Sequence, residues 1–426
     1  TKTAIMHYDY MVLAGTQGIN NHKKLDRMID VIRGLKVPLI FFCEGGGGRP
    51  GDVDAGDQNI AGLNIPSFHD FARLSGEVPL VGIGSGRLFA GNAALLGCCD
   101  VIIGTRDLNL GMGGPAMIEG GGLGVYKPEE VGPTSVQYPN GVIDILVDNE
   151  DDAIEIAKKY LSYFQGNLGS WEAPEVENLR YVIPENRLEV YDIREVIDNI
   201  ADIGSVLEIK AGFAKGMFTG FIRVKGKPLG LIANNPLFLA GAIDSDGADK
   251  ASRFIKLCEN YNIPILSLCD TPGMMVGPEI EETGLVRHCC RLFLAGANVT
   301  VPMMTIVLRK AYGLGAQAMA GGSFMAPQFV VGWPTAEIGA MGLEGAVKLG
   351  YRKELEAESD VEKKEKLFKK LVDDLYEKGK AINAASLLEF DTVLDPIESR
   401  DWISMVVESP INSSEKVPKN RYIDSW

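Results

Sequence analysis

The sequence predicts an α/β protein built from two copies of one domain. Apolar runs typical of buried strands alternate with helical patterns, and short glycine clusters separate them, which indicates crossover connections between strands. The residue order of the first half then recurs in the second half. At 426 residues, the chain is also longer than one typical hydrophobic core. Two similar α/β domains account for all three observations.

The composition excludes several classes of partner. A net charge of −15 argues against binding to nucleic acid and to anionic membrane surfaces. No apolar run approaches the ~18 residues that a membrane helix needs. Seven cysteines, mostly in apolar surroundings and without a CxxC pair, indicate buried thiols in a reducing compartment. We therefore expect a cytoplasmic protein, with the mitochondrial matrix as the alternative.

The first half alternates strand and helix patterns in chain order. Apolar segments bounded by glycine or proline predict strands, and the segment after Ala14-Gly15 has helical spacing. The predicted strands cover residues 4–13, 39–43, 79–83 and 99–103, and a glycine-rich loop is predicted at 111–124. This alternation is typical of parallel strands that are joined by crossover helices.

The second half repeats this order without a gap over about thirty residues. Pro264, for example, corresponds to Pro38, and the same separation of 226 positions relates the neighbouring matches. We interpret the chain as a duplicated domain. A polar stretch with two prolines at 165–186 predicts the boundary. The predicted domains are residues 1–170 and 185–426.

A charged segment at 353–385 follows the second domain's repeat. Its apolar residues recur at helical spacing, which predicts one amphipathic helix. These residues are Leu367, Leu371, Leu375 and Ile382. The helix would either pack on its own domain or contact another subunit.

Two tight turns are the candidate functional sites. In the second half, an apolar run at 303–308 leads through Arg309-Lys310-Ala311-Tyr312 into Gly313-Leu314-Gly315. The first half offers Ala90-Gly91-Asn92, and we match residues 90–95 with residues 314–319. Backbone N–H groups at the start of a helix lack partners and can hold an oxyanion, such as the enolate of a thioester. The alternative is that both turns are plain connections between a strand and a helix.

Several competing motifs fail. Residues 82–86 resemble a dinucleotide-binding turn, but the third glycine falls too early for GxGxxG. Gly45–Gly48 with Arg49 resemble a phosphate loop without its Lys-Ser/Thr pair. The four histidines lack metal-ligand spacing, and no serine lies in GxSxG, so neither a metal site nor a hydrolase is supported. The chemistry must therefore depend on backbone donors and on a reactive cofactor or substrate.

Five linked motifs between Tyr191 and Arg400 carry a family resemblance. In order, they read DIREVIDNIAD, GFAKGMFTGFIRVKGKPLGLIANNP, DTPGMMVG, RKAYG with WPTAEIGAMGLEGAV, and DPIESR. The sequence resembles the carboxyltransferase component of biotin-dependent acyl-CoA carboxylases, the propionyl-CoA and acetyl-CoA carboxylase beta type. The first half is similar in layout, with EGGGGR as the glycine-rich loop and AGNAALLGCCD as the first turn.

The resemblance implies a fold and a reaction. The fold is two duplicated crotonase-like domains, each a ββα superhelix. The reaction moves a carboxyl group from carboxybiotin to the α-carbon of an acyl-CoA, and biotin's own nitrogen takes the α-proton. The first domain would bind the acyl-CoA and the second biotin, with the two sites supplied by different subunits of a dimer-built homo-oligomer, commonly a hexamer. No metal is implied.

The resemblance also implies site residues. The backbone donors would come from two sets of three residues, namely Ala90, Gly91 and Asn92, and Gly313, Leu314 and Gly315. Substrate and cofactor binding would involve Gly45, Gly46, Gly47, Arg49, Pro272, Gly273, Tyr312 and Gln317. No biotin-attachment Met-Lys-Met and no ATP-grasp region occurs, so we expect biotin carrier and biotin carboxylase domains or subunits as partners.

Two positions depart from the family pattern. The family usually has Gly-Gly-Ala after RKAY, whereas this chain has Gly313-Leu314-Gly315, which gives the site a bulkier wall. Gln317 lies where the family's acyl-pocket residue influences the choice of substrate, so the acyl chain length stays open. The family's usual N-terminal segment is missing, and the chain is expected to be either a free subunit or a domain of a multidomain carboxylase. A biotin-dependent acyl-CoA decarboxylase subunit and a catalytically silent CoA-binding or assembly subunit are the alternative functions.

Overall fold

The computed structural model describes residues 2–49, 51–52, 63–409 and 422–426. These residues form two compact units. The first holds the described residues up to Gly166 together with Glu208–Phe213 and residues 422–426. The second holds Asn167–Leu207 and residues 214–409.

The first unit is built on a parallel sheet with helices between its strands. The strands are β1 (Ala4–His7), β2 (Leu39–Phe42), β3 (Leu80–Gly84), β4 (Arg87–Phe89), β5 (Val101–Thr105), β6 (Asn109–Gly111) and β7 (Ile145–Val147). The helices are α1 (Ile19–Leu35), α2 (Ser67–Ala72), α3 (Gly91–Gly97), α4 (Pro115–Gly120), α5 (Thr134–Gln137) and α6 (Glu150–Ser162). The sheet order is β1-β2-β3-β5-β7, and β4 pairs separately with β6.

The core of the first unit follows from its apolar patterns. Strands β3 and β5 are buried at every residue, as expected for parallel strands covered on both faces. Helix α1 buries Leu25, Ile29 and Ile32 at the spacing of one helical face. Helix α6 begins at Asn149, whose side chain accepts a hydrogen bond from the Asp152 N–H at 3.0 Å.

The second unit has the larger sheet. Its elements begin with α7 (Ile193–Ile200), β8 (Leu207–Glu208), β9 (Met217–Val224), β10 (Lys227–Asn234), α8 (Ser245–Asn260), β11 (Ile265–Thr271), α9 (Pro278–Glu281) and α10 (Leu285–Ala297). They continue with β12 (Met303–Tyr312), α11 (Gly313–Met319), β13 (Phe329–Gly332), β14 (Glu337–Gly339), α12 (Leu343–Gly350), α13 (Arg352–Ala357), α14 (Val361–Gly379), α15 (Ala381–Ser386), β15 (Thr392–Val393) and α16 (Ser399–Glu408).

Strand order in the second unit repeats that of the first. The order is β15-β13-β12-β11-β10-β9, with β14 paired to the end of β12. Strands β10 to β15 pair in parallel, whereas β9 and β10 form an antiparallel hairpin. Its two-residue loop, Lys225-Gly226, has positive φ at both residues, which suits the twist of a tight hairpin.

The strand register confirms the predicted duplication. Ala4 pairs with Leu39 in the first unit, and Gly230 pairs with Ile265 in the second, each 226 positions further on. The kink at Ala14 (φ 53°) likewise recurs at Ala240 (φ 52°). The fold is therefore α/β with two copies of one domain.

Two predicted elements and the predicted domain limits differ from the structure. The strand expected at 4–13 ends at His7, because the chain then turns into the kinked segment before Gly15. The loop expected at 111–124 contains the short helix α4. The units also depart from the predicted domain limits, because Glu208–Phe213 and residues 422–426 pack with the first unit.

The single amphipathic helix expected at 353–385 is wrong, because the segment forms α13, α14 and α15. Leu367, Leu371 and Leu375 do lie on one face of α14 and pack against a small core around Val347. Ile382 lies in α15 and is mostly exposed. The break follows Gly379, where an added Cβ would lie 2.4 Å from the Ile338 carbonyl oxygen, so the chain passes too close for a longer side chain.

All seven cysteines are free thiols, and burial raises the pKa of Cys43, Cys99 and Cys258 well above the usual range. Among the described residues, no group of histidine, cysteine and acidic side chains could hold a metal ion. Within the same residues, no helix combines the length and the apolar character that a membrane span requires.

Candidate functional site: two backbone turns

The first turn is a strained alanine between β4 and α3. Ala90 has φ 53° and ψ −123°, a region that L-residues avoid and that costs ~1–3 kcal/mol. Its own N–H donates to the Gly111 carbonyl at 3.1 Å, so it is not available to a substrate. The N–H of Gly91, which follows, begins α3 and has no acceptor within the helix.

The glycine-rich loop after β2 lies directly against this turn. The N–H of Gly45 donates to the Arg87 carbonyl at 3.0 Å, and the N–H of Gly46 donates to the Ala14 carbonyl at 3.3 Å. A Cβ added to Gly47 would lie 2.5 Å from the Ala90 Cβ and 3.0 Å from the Gly91 nitrogen. Only glycine permits so close an approach.

Gly48 is exposed at the end of this loop. Its N–H has no hydrogen-bond acceptor among the described residues, and nothing lies within 4 Å of the position of an added Cβ. The backbone N–H groups of Gly48 and Gly91 are therefore two donors without an acceptor among the described residues.

Asn92 organises the loop through its side chain. The residue is fully buried, and its Oδ1 accepts a hydrogen bond from the Gly47 N–H at 2.9 Å. Its Nδ2 donates to the carbonyls of Cys43 at 3.1 Å and Gly15 at 3.3 Å. Because these contacts occupy the amide, Asn92 positions the loop, and its predicted role in catalysis would have to come from its backbone N–H.

The second turn has the same form but different residues. Gly313 has φ 55°, and an added Cβ would lie 2.9 Å from the Ala340 carbonyl oxygen. Gly315 is buried, and its Cβ would lie only 2.6 Å from the Gly273 Cα. Between them, the side chain of Leu314 is 62% exposed.

The loop after β11 lies against the second turn and contains a backbone N–H without an acceptor in the described part of the chain. The Gly273 N–H donates to the Thr271 Oγ1 at 3.2 Å, and its carbonyl accepts from the Ile243 N–H at 3.1 Å. The Met274 N–H has no hydrogen-bond acceptor among the described residues. Met274 and Leu314 thus occupy the places of Gly48 and Gly91.

The strand pairing corrects our alignment of the two turns. Phe89 pairs with Gly111 in the first unit, and Tyr312 pairs with Gly339 in the second, so Phe89 corresponds to Tyr312. The residue with positive φ follows directly in both units. Ala90 therefore corresponds to Gly313.

The predicted match of Ala90 with Leu314 was wrong by one residue. Gly91 instead corresponds to Leu314, and Asn92 corresponds to Gly315. Alanine and glycine recur at neighbouring positions in both segments, so two offsets give similar matches of small residues. The sequence contains no local signal that chooses between them.

The basic residues before the second turn share one buried carboxylate. Asp270 is fully buried and accepts from the Arg309 Nε at 3.1 Å, from the Lys310 N–H at 3.1 Å and from the Tyr191 hydroxyl at 2.8 Å. The Lys310 Nζ lies 3.3 Å from the same carboxylate. Burial, followed by the charge of Asp270, raises the pKa of Tyr191. Arg309 and Lys310 therefore stabilise β12, and the turn offers a ligand N–H groups rather than free cations.

Tyr312, a predicted binding residue, points its hydroxyl into the protein. The hydroxyl donates to the Glu337 Oε1 at 2.5 Å, and both residues are buried. Burial raises the pKa of Glu337, although Tyr312 and the nearby Arg187 oppose the shift. Arg187 itself pairs with Glu344 at 2.7 Å. These contacts hold the end of β12 in front of Gly313.

The remaining predicted binding residues, Arg49, Pro272 and Gln317, differ in burial and in contacts. The guanidinium of Arg49 donates to the Thr16 Oγ1 at 3.1 Å and pairs with Asp52 at 3.1 Å, so it orders the glycine-rich loop. Pro272 is half-buried beside Gly273, and Gln317 is exposed on α11.

Sequence reasoning missed Gln17. Its Nε2 donates to the Tyr8 hydroxyl at 3.2 Å, and its Oε1 lies 2.3 Å from where a Cβ on Gly91 would be. No pattern in the sequence marks this residue, because its contact with the turn arises only from the tertiary fold.

Two units of one topology, each with a loop packed against a backbone turn, are the arrangement of the crotonase-like fold. The carboxyl transferase domain family matches residues 1–422, and the chain belongs to this family. It is a carboxyltransferase of the biotin-dependent acyl-CoA carboxylases, which confirms the resemblance, the fold class and the enzyme class.

Relatives with known names agree with this assignment. The chain is 32% identical to the methylmalonyl-CoA carboxyltransferase 12S subunit of Propionibacterium freudenreichii subsp. shermanii, over 97% of this chain and 79% of the relative. It is 29% identical to the propionyl-CoA carboxylase beta chain of Roseobacter denitrificans, over 98% of this chain and 82% of the relative.

Solved structures show the same architecture. A single-chain, multi-domain long-chain acyl-CoA carboxylase matches with a TM-score of 0.88 and 54% identity, over 94% of this chain. The match spans only 39% of that longer chain. The transcarboxylase 12S hexamer, with methylmalonyl-CoA bound, matches with a TM-score of 0.84 and 30% identity, over 97% of this chain and 80% of the neighbour.

Proposed function

We propose that this chain transfers a carboxyl group from carboxybiotin to the α-carbon of an acyl-CoA, through an enolate held by backbone N–H groups. One observation carries the proposal. In each unit the loop after one parallel strand, β2 or β11, lies against a turn, and both contribute N–H groups that have no acceptor among the described residues. Such paired donors are suited to a thioester oxygen that gains negative charge in the transition state.

In the first unit, Gly48 and Gly91 would hold the thioester oxygen of the acyl-CoA. Loss of the α-proton places negative charge on this oxygen, and preorganised donors lower the barrier at that step. Removing one such donor typically costs about 3 kcal/mol of barrier. Asn92 contributes by fixing the loop beside Gly91.

In the second unit, Met274 and Leu314 would hold the ureido oxygen of biotin. The donor set fits this group, because its ureido oxygen accepts N–H hydrogen bonds, while Arg309 and Lys310 are both engaged by Asp270. Bound carboxybiotin supplies the carboxyl group as CO2 and the ring nitrogen that takes the α-proton in exchange.

The proposed acyl-CoA and biotin sites imply the partners of this chain. Biotin and its carboxylation would come from biotin carrier and biotin carboxylase domains or subunits. The multi-domain carboxylase and the 12S hexamer among the structural neighbours support partners of this kind and a dimer-built homo-oligomer. The acyl-CoA site and the biotin site would then be supplied by different subunits.

Leu314→Pro tests the backbone donor of the second unit. Proline removes the N–H, and the first turn of a helix tolerates it because the N–H has no helical partner there. Leu314→Ala is the matched control, since it removes the exposed side chain and keeps the N–H. We expect biotin-dependent loss of CO2 from malonyl-type CoA thioesters to fall ~100-fold in Leu314→Pro relative to Leu314→Ala.

Equal rates in the two variants would show that the N–H is not used. The same assay, run with thioesters that differ in the α-substituent, separates a biotin-dependent enzyme from a catalytically silent subunit. Turnover with one member supports transfer of the carboxyl group, in either direction, and identifies its acyl group. No turnover with any member, despite measurable CoA binding, favours a silent CoA-binding or assembly subunit.

A further inference from the structure

An exposed apolar segment follows β6 in the first unit. We call residues 111–126 the α4 segment. Met112, Met117, Leu123 and Val125 leave between 63% and 78% of their surface exposed, and α4 has no buried residue. Exposed apolar side chains this dense normally mark a binding surface.

The α4 segment begins at the first turn. The Gly111 carbonyl accepts the Ala90 N–H at 3.1 Å. A Cβ added to Gly114 would lie 3.3 Å from the Phe89 ring, so the backbone packs on the residue that precedes Ala90. The α4 segment therefore starts beside the proposed thioester site.

The composition of the α4 segment suits a flexible apolar ligand. Its only charged residue is Glu119. Glycine recurs through it, and Gly122 and Gly124 have φ 70° and 119°, so the backbone can adjust without side-chain strain. Methionine is polarisable and unbranched, and it packs well against ligands of variable shape.

We propose that the α4 segment binds the hydrocarbon tail of a long-chain acyl-CoA. This inference rests on the proposed function, because it takes the thioester carbonyl to lie at Gly91. The acyl chain is bonded to that carbonyl carbon, and the α4 segment offers it an exposed apolar surface that begins beside the turn. The long-chain acyl-CoA carboxylase among the structural neighbours acts on a substrate of this class. A second copy of the chain is the competing occupant.

Binding of a chain-length series tests the proposal. Dissociation constants of acetyl-, octanoyl- and dodecanoyl-CoA are measured by calorimetry below their micelle-forming concentrations. We compare the unaltered protein, the double variant Met117→Ser/Leu123→Ser, and Leu35→Ser, which alters an equally exposed leucine on α1.

In the unaltered protein and in Leu35→Ser, we expect dodecanoyl-CoA to bind at least ~30-fold more tightly than acetyl-CoA, because each added methylene buries apolar surface. In the double variant this ratio falls below about threefold, whereas the dissociation constant of acetyl-CoA is unchanged. An unchanged acetyl-CoA constant also shows that the double variant is folded.

Three results would overturn the proposal. The first is the absence of a chain-length effect in the unaltered protein, and the second is a chain-length effect that survives in the double variant. The third is a change in the oligomeric state of the double variant, measured by light scattering, which would make the α4 segment a subunit contact. If the chain-length effect is lost in the double variant but no thioester is decarboxylated by the unaltered protein, the proposed function fails and the acyl-binding surface stands.

Discussion

At the scale of single residues, the first turn stores strain in Ala90. Its φ of 53° and ψ of −123° suit glycine, and its second-unit counterpart Gly313 is a glycine. The strain is compensated by the bond from the Ala90 N–H to Gly111 and by the loop packed against it. Strain of this kind is retained where the backbone must present a group precisely.

Ala90→Gly should raise the free energy of unfolding by ~1 kcal/mol, because glycine adopts this conformation without a steric penalty. Ala93→Gly is the matched control in the same short helix. It should lower the free energy by about the same amount, because Ala93 has helical geometry. Urea denaturation measures both. Destabilisation of equal size in the two variants would contradict the account of strain at Ala90.

A second prediction at this scale concerns the buried carboxyl of Glu337. Burial raises its pKa above the ordinary value of 4.5. The folded state then keeps a proton that the unfolded state has lost, so the residue reduces stability increasingly as the pH rises above 4.5. Glu337→Gln removes this titration. We expect the variant's free energy of unfolding, relative to the unaltered protein, to rise between about pH 4 and about pH 7.

Glu344→Gln is the control with the opposite sign. Burial opposes the shift, but a backbone hydrogen bond and the Arg187 contact lower the pKa of Glu344 below 4.5. Stability from this ionised carboxylate is present above pH 4.5 and is lost as the pH falls. The control should therefore become relatively less stable from about pH 4 to about pH 7. Parallel pH trends in both variants would contradict the assigned burial of Glu337.

At the scale of elements, sequence patterns predicted the limits of the strands better than the pairing of the strands. Apolar runs bounded by glycine or proline are local signals, and β2, β3 and β5 lie within two residues of their predicted limits. The alignment of the turns failed because their register depends on pairing with β6 and β14, which lie 22 and 27 residues further along the chain. The ion pair of Arg49 with Asp52 was not predicted, because it forms only in the folded loop.

The break between α14 and α15 gives a prediction for an element. Gly379→Ala should lower the free energy of unfolding by about 2 kcal/mol, because its Cβ would press on the Ile338 carbonyl in β14. Gly350→Ala is the control at the end of α12, where nothing lies within 4 Å of an added Cβ. There we expect no loss or a small gain. A control as unstable as Gly379→Ala would show that the contact with β14 is not the cause.

At the scale of the whole molecule, the duplication was predictable from the sequence, and the way in which each half holds its loop was not. The separation of 226 positions is visible in the sequence because prolines and glycines keep their places at strand ends. The halves differ in how they hold equivalent loops, through the Asn92 amide in one and through the absence of a side chain at Gly315 in the other. Such a difference depends on how closely the loop and the turn pack in the folded protein, which no local sequence pattern indicates.

The composition of the first unit has a consequence for the order of synthesis. Asp144 is buried, and its charge is balanced by Lys210, which lies 3.3 Å away. The aromatic ring of Trp426 packs 5.3 Å from Phe213, with the Lys210 ammonium 5.4 Å from its centre. A growing chain that has left the ribosome only as far as Gly166 contains Asp144 without this counter-ion. The first unit is therefore complete only after residues 208–213 and 422–426 have been translated.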